Sequence, residues 1–499
     1  MPHVVIFTPI VLWPVHLETD LEIAQRYLDQ GWRVTFLQCF RGLPACGQNI
    51  DHNWIVCGKC ISRFKRGIAW LGNGSVTVED FLLLTEDERQ FIDLLNEKSL
   101  STMAEIRSIV VDGADIGLAA LGSVISFLRE PKPDVAAHRR LVVSHLQSAA
   151  MAFFSIRNQL QRHRPDKFIV FNGRFAEVRG ALRASQSLKV PTQVHERAGS
   201  LEKFSLTPDV SPHDLPVMKR IIETTYAESL LGEEEKTRIA HEWYEERRSS
   251  KPQNWYSFTA HQRNGHLPDL APDRCNVVIF NSSDDELEAF DEWRNPLYAD
   301  QSDGIRRIAD DLGKDDRFRL FLRVHPNLKT SDNSQTREIA EIAEQFPEMT
   351  VISAASEVST YNLIDACDVV IAFGSTVGIE AAFARKPVFL MGHSLYEDLN
   401  CCIIPKSHEE FIRLLHRLAE GGRDMIPASE EVDRGVVKYG FFNKMWGEEY
   451  RYVKPCSVAK SVMVKDGRET FLEPAITYRV IDRLLGCAQG FKKRLLRQK

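Results

Sequence analysis

Three short polar stretches in the second half of the chain each follow a β-rich run: FNSSDDE after NVVI, RVHPN after FRLFL, and FGST after DVVIA. In the last of these, Gly374 lets the backbone come close to a ligand. Ser375 and Thr376 bring hydroxyl and N–H groups to a helix start, where the dipole favours a phosphate. His325, in RVHPN, can donate a hydrogen bond to the same phosphate; Arg323 can add charge and Asn327 a further polar contact. Glu380 falls one turn into the helix after FGST, within reach of a ribose hydroxyl or on a solvated helix face. In FNSSDDE, Ser282 and Ser283 suit the cap of a helix beginning at Asp284, and acids suit its first turn. A carboxylate at a strand end is also what glycosyl transfer needs, as nucleophile or as stabiliser of an oxocarbenium-like transition state. Asp285 is the favoured member of the trio, with Asp284 and Glu286 as alternatives.

The first half of the chain has a matching pair of motifs, FNGR and HERAG. Asn172, Arg174, His195, Glu196 and Arg197 are expected at strand ends, with Glu196 as a general acid/base or the set as a clamp on an acceptor sugar. Trp13, Phe175 and Phe204 are candidates to stack on that sugar. Cys39, Cys46, Cys57 and Cys60 sit close in sequence with one CxxC, and structural zinc is the minor alternative to buried free thiols. No DxD-like cluster and no Ser-His-Asp arrangement after a nucleophile elbow is present, so no metal or other cofactor is expected in the reaction.

The elements that must hold these residues alternate between strand and helix. VVIFTPIV, a helical stretch ending in Gly31, and WRVTFLQC open a βαβ unit without GxGxxG. A mostly helical stretch from about 67 to 163 follows, then the strands and helix that carry FNGR and HERAG. Residues 249–273 are rich in turn formers and read as a linker or a mobile loop over a cleft. From NVVIF onward the strand–helix alternation implies a second parallel, doubly wound sheet, whose ligands bind beyond the carboxyl ends of its strands. The expected division is an acceptor-side domain over 1–265, a donor domain over 266–450, and a helical tail over 451–499 that packs back on the first domain.

The whole is 499 residues, 43% hydrophobic and 26% charged, with net charge −6. That mild acidity speaks against general nucleic-acid binding. No apolar run reaches bilayer length, and MPHVVIFTPIVLW reads as a first strand rather than a signal peptide, which implies a cytoplasmic protein. The ten cysteines are scattered, as reduced thiols would be. The basic, amphipathic VIDRLLGCAQGFKKRLLRQK is either a solvated helix or a peripheral contact with the cytoplasmic face of an inner membrane.

Taken together, FNGR, HERAG, FNSSDDE, RVHPN and STYNLIDACDVVIAFGSTVGIEAAFARKPVFLMG resemble the two-Rossmann-domain (GT-B) glycosyltransferases. More narrowly, they resemble bacterial capsule and lipopolysaccharide (O-antigen) biosynthesis transferases of the retaining β-Kdo type. The resemblance implies an α/β fold of two Rossmann-like domains facing across a cleft, the first with a helical insertion. It also implies a CMP-Kdo donor whose single phosphate is held by His325 and the Ser375–Thr376 turn. Asp285 would be the nucleophile and Glu196 the acid/base, with a lipid-linked or oligosaccharide glycan as acceptor. A transferase using a UDP- or GDP-sugar, a sugar-nucleotide 2-epimerase and a non-catalytic carbohydrate-binding protein share the same pattern.

Overall fold

A computed structural model of the chain describes residues 1–72, 74–286 and 288–478. The chain divides into two compact units. One comprises residues 1–127, 133–212 and the segment from 447 onward; the other comprises 128–132 and 213–446.

The first unit is built on six strands: β1 (His3–Phe7), β2 (Arg33–Gln38), β3 (Thr77–Asp80), β4 (Lys167–Phe171), β5 (Thr192–Arg197) and β6 (Lys203–Pro208). They run in the spatial order β6-β5-β4-β1-β2-β3, parallel except for β6, which lies antiparallel to β5. HVVIF of β1 is buried at all five positions, as a strand covered on both faces must be. The helices between β2 and β4 include Trp54–Leu71 and the long Arg139–His163. Gly180 allows the helix Ala176–Ser187 to lie directly on that long helix: a Cβ there would come within 2.4 Å of the Ala149 carbonyl oxygen.

The second unit holds β7 (Cys275–Phe280), β8 (Phe318–Arg323), β9 (Thr350–Ile352), β10 (Val369–Ala372) and β11 (Val388–Leu390). All five are parallel, in the order β11-β10-β7-β8-β9. Alternate residues serve two cores: Val278, Phe280, Phe321 and Val370 on one face, Val277, Ile279, Leu320 and Ile371 on the other. The chain runs from β7 outward to β8 and β9, then crosses to β10 and β11. The topological switch therefore falls between β7 and β10, where open α/β sheets form their ligand crevice.

Both units thus carry the mainly parallel α/β architecture that the motifs imply. The division of the chain differs from the expected one. Residues 213–265 belong to the second unit because Met218, Ile222, Trp243 and Tyr244 fill the same core as Val278 and Phe280. The end of the chain differs as well. A short strand, β12 (Glu448–Glu449), joins β6, and β13 (Val453–Ser457), β14 (Lys460–Lys465) and β15 (Arg468–Thr470) form a small antiparallel sheet. A helical tail starting at 451 is therefore not what the chain forms there. The basic segment VIDRLLGCAQGFKKRLLRQK lies outside the described residues. Among the described residues, no helix is long and apolar enough to cross a membrane.

Candidate functional site

At the switch between β7 and β10 the second unit has a cavity of about 310 Å³. Ser282, Ser283, Glu286, Arg323, His325 and the Gly374–Thr376 turn line it, together with Glu380. Three motifs distant in sequence meet here because they end adjacent parallel strands. The join is made by hydrogen bonds: the Ser282 hydroxyl donates to the Phe373 carbonyl (2.9 Å), and the His325 N–H donates to Oδ1 of the buried Asn281 (2.8 Å).

The electrostatics of the cavity favour an anion. Arg323 is only 1% exposed, and its guanidinium donates to the carbonyls of Val324 (3.2 Å) and Ser353 (2.6 Å). Its Nε–H has no partner among the described residues, and none of its hydrogen bonds goes to a carboxylate. Burial alone pulls its pKa down to about 10, so the cation is present at neutral pH but poorly solvated. His325 is the second element. Its pKa is lowered to about 4, first by burial and then by Arg323. The neutral ring accepts the Asn327 N–H at Nδ1 (3.2 Å), which leaves the proton on Nε2 as a donor.

Gly374 sits at φ 73°, and a Cβ there would come within 2.7 Å of the His393 carbonyl oxygen. A Gly374→Ala protein is therefore expected to lose about 1–3 kcal/mol of stability, measured as a lower midpoint in urea unfolding, and to bind nucleotide more weakly. The helix after this turn, Val377–Phe383, has only seven residues. The hydroxyls and N–H groups of the turn, rather than a long helix dipole, are what it offers an anion.

Some expected roles change on contact with the structure. Both oxygens of Glu380 are engaged, one by Arg247 (2.7 Å) and the other by the Tyr361 hydroxyl (2.7 Å). Arg247 also donates to the Thr376 hydroxyl (3.2 Å), so the carboxylate braces the turn. Asn327 holds the His325 ring and donates to Glu286 (2.9 Å); it does not line the cavity. Asp284–Glu286 forms a single 3-10 turn rather than the start of a helix. Asp285 is consequently buried, accepting from the Ser283 hydroxyl (2.5 Å) and Arg129 Nε (3.3 Å), and lines neither this cavity nor the next.

That next cavity, about 440 Å³, shares Ser282, Ser283 and Gly374 with the first. Asp284 faces it, with Lys132, Arg294, Tyr298 and His393 around the wall. The Asp284 carboxyl accepts from Gln301. Burial, opposed by that bond and aided by Asp300 and Glu288, pushes its pKa up to about 7.

In the first unit, Asn172 and Glu196 meet at the ends of β4 and β5. Glu196 accepts from Asn172 Nδ2 (2.6 Å) and from the Arg197 N–H (2.9 Å). The Arg174 N–H donates to Asn172 Oδ1 (3.0 Å), and its guanidinium lies 5.6 Å from the Phe175 ring. His195 does not join this group. Adjacent residues of a strand face opposite ways, and His195 turns inward to Asp20 (2.9 Å), 1% exposed. Arg197 donates to the Pro14 carbonyl (3.1 Å). Phe175 and Phe204 are core residues, which leaves Trp13 as the stacking candidate. Among the described residues no group of three or more His, Cys, Asp or Glu is placed to hold a metal. Burial pushes the Cys39 and Cys60 thiols up to about 11 and about 12.

Two features escaped the motif reading, and a third, the aromatic residues within 249–273, was read only as part of a linker or a loop over a cleft. Arg247 comes from a helix with no motif. The segment after it, Lys251–Thr259, lines the first cavity and brings Trp255, Tyr256 and Phe258 to it. In the first unit, Val15 holds φ 71°, a strained value for a β-branched residue. It precedes His16, which burial keeps neutral and whose ring meets Phe171 edge-on at 3.9 Å.

Residues 311–399 match the family model described as "Capsule polysaccharide biosynthesis protein". This stretch contains β8 to β11, His325, the Gly374–Thr376 turn and Glu380, and it meets the resemblance read from the motifs. Two of the solved structures that the chain matches are from Thermosulfurimonas dismutans: KpsC, beta Kdo 2,4 transferase, and KpsC, beta Kdo 2,7 transferase. The first has 13% identity over 64% of this chain and 87% of that chain, with TM-score 0.31. The second has 14% identity over 66% and 89%, with TM-score 0.34. S. aureus MnaA, in a co-structure with UDP, has 9% identity over 90% and 94%, with TM-score 0.28. No curated protein sequence matches the chain.

Proposed function

We propose that this chain is a nucleotide-sugar-dependent glycosyltransferase of capsule or other surface polysaccharide, with CMP-Kdo as donor and a lipid-linked or oligosaccharide glycan as acceptor. The observation that carries the reading is the buried Arg323, ionised and without a carboxylate, in one cavity with the Nε2–H donor of His325. A phosphate there would neutralise the guanidinium and accept from the imidazole and the Gly374–Thr376 turn. These donors take the charge that develops on departing CMP, so no metal is assigned a part.

The adjoining cavity, with Asp284 on its wall, is where the sugar would lie. In the retaining course, Asp284 in its ionised form, which prevails above about pH 7, bonds through one carboxylate oxygen to the anomeric carbon as the carbon–oxygen bond to the phosphate breaks and CMP leaves. An acceptor hydroxyl then displaces Asp284 and gives its proton to a general base, the role that the family resemblance implies for Glu196. Asp284 replaces Asp285 in this scheme because it lines this cavity and Asp285 does not.

The test is thermal stabilisation by CMP, CDP, UDP and GDP at matched concentrations. A ligand at about a hundred times its dissociation constant adds about 2.7 kcal/mol. The expected result is a rise in melting temperature with CMP. A rise with UDP or GDP alone would replace the CMP-sugar donor by another nucleotide-sugar, and no rise with any of the four would refute the donor site.

A further inference from the structure

The segment between the helix Glu233–Arg248 and β7 is fastened at both ends and apolar in the middle. At its start, the Ser250 and Thr259 hydroxyls bond to each other (2.8 Å), closing the eight residues between them into a loop. Beyond it, Gln262–His266 is tied to the residues before and within the helix Thr360–Ala366. The Arg263 N–H donates to the Glu357 carbonyl (2.9 Å), the Thr360 N–H to Gln262 Oε1 (2.7 Å), and the Ser359 N–H to the His266 carbonyl (3.0 Å). Between these anchors three aromatic residues come within four positions. Trp255 is 50% exposed, Tyr256 55% and Phe258 37%, and all three line the cavity that holds Arg323 and His325.

A connection that only had to span this gap would gain nothing from exposed rings, whose contact with water is unfavourable. Rings at the rim of a cavity that contains a buried cation suit a ligand with an anionic end and a flat, unsaturated end. Phe258 lies against His325, ring centroids 5.7 Å apart, at the anionic end. Trp255 and Tyr256, in edge contact with each other at 5.5 Å, come earlier on the loop and line the same cavity.

We propose that Trp255, seconded by Tyr256, forms the stacking wall for the base of the bound nucleotide. This assignment rests on the cavity being the nucleotide site. Because the loop is fastened at both ends, the wall is largely formed before the ligand arrives, which limits the ordering cost of binding. Stacking is tolerant of base identity, so the wall supplies affinity and leaves base selection to polar groups.

The experiment compares CMP with ribose 5-phosphate, which keeps the phosphate and sugar and lacks the base. Both are titrated by calorimetry into the wild-type chain, Trp255→Ala, Trp255→Phe and the Trp255→Ala/Tyr256→Ala pair. Loss of a stacked ring is expected to weaken CMP by about 5- to 150-fold and to leave ribose 5-phosphate within about twofold of wild type. The Phe variant should restore most of the CMP affinity, and CMP should quench the tryptophan fluorescence of the wild type more than that of Trp255→Phe. Unchanged CMP binding in the double variant would overturn the stacking wall while leaving the nucleotide site intact. Equal losses for CMP and ribose 5-phosphate would overturn it in favour of a purely structural loop. A wild-type chain that binds neither would refute the nucleotide site, and the wall with it.

Discussion

An Asp284→Asn protein is expected to lose about a thousandfold or more in transfer rate, as nucleophile removal does in other enzymes, and yet to be more stable than the wild type at neutral pH. The first effect follows from its place on the wall of the second cavity. The second follows from its titration. The native carboxyl keeps its proton up to about pH 7, whereas in the unfolded chain an aspartate releases it near about 4. Between those values the unfolded chain has ionised and the native one has not. Stability therefore falls as pH rises through this window and levels off above it. Asparagine cannot ionise, and its side-chain oxygen can still accept from Gln301. The two proteins should converge below about pH 4, and the variant's advantage should be complete above about pH 7. Each pH unit between the unfolded and native titrations contributes about 1.36 kcal/mol, so the advantage amounts to a few kcal/mol in all. Urea unfolding from pH 3.5 to 8.5 measures this. A constant offset at all pH values would refute the assigned titration, and full activity in the variant would remove Asp284 from the mechanism.

The same residue shows what was legible in the sequence. The three strand ends were readable because parallel strands covered on both faces appear as unbroken apolar runs, as NVVIF and VVIA do. The polar residues after such runs fall on the crevice side of the sheet by topology alone. Which member of SSDDE faces the cavity was not readable, because it depends on the chain forming a single 3-10 turn there and not a helix. His195 was partly readable. Period-two alternation puts it opposite Glu196, so both could not serve one site, and the HERAG string concealed that. The grouping of 213–265 was hidden for a different reason. Its helices are polar over most of their surface, and Trp243 and Tyr244 reveal their allegiance only by packing beside β7 and β10. Arg247 depends on that packing, since it reaches Glu380 and Thr376 from the same helix.

Arg323 carries the second large effect, and it too sets function against stability. Arg323→Met should weaken CMP by about 10- to 150-fold, the loss of a charge-assisted contact worth roughly 1.5–3 kcal/mol, without lowering the melting temperature of the unliganded protein. Burial depresses the guanidinium pKa to about 10, below the about 12.5 or more of the unfolded chain. The native state therefore disfavours the charge at every pH below about 10, and the penalty fades only as pH rises from there towards the unfolded value. Methionine removes the charge but keeps an apolar stem of similar length. What it forfeits is the set of bonds to the Val324, Ser353 and Ser356 carbonyls. Ser353 is exposed and Ser356 half-buried, so water can replace much of that loss. Salt gives an independent check: wild-type affinity for CMP should fall as ionic strength rises, and the variant's residual affinity should respond much less. A variant that melts well below the wild type would make Arg323 a structural strut. One that is as stable as the wild type but still binds CMP with undiminished, salt-sensitive affinity would move the phosphate elsewhere. Weak binding in an equally stable fold is the expected combination, and it is the signature of a poorly solvated cation kept at the end of β8 for an anionic ligand to neutralise.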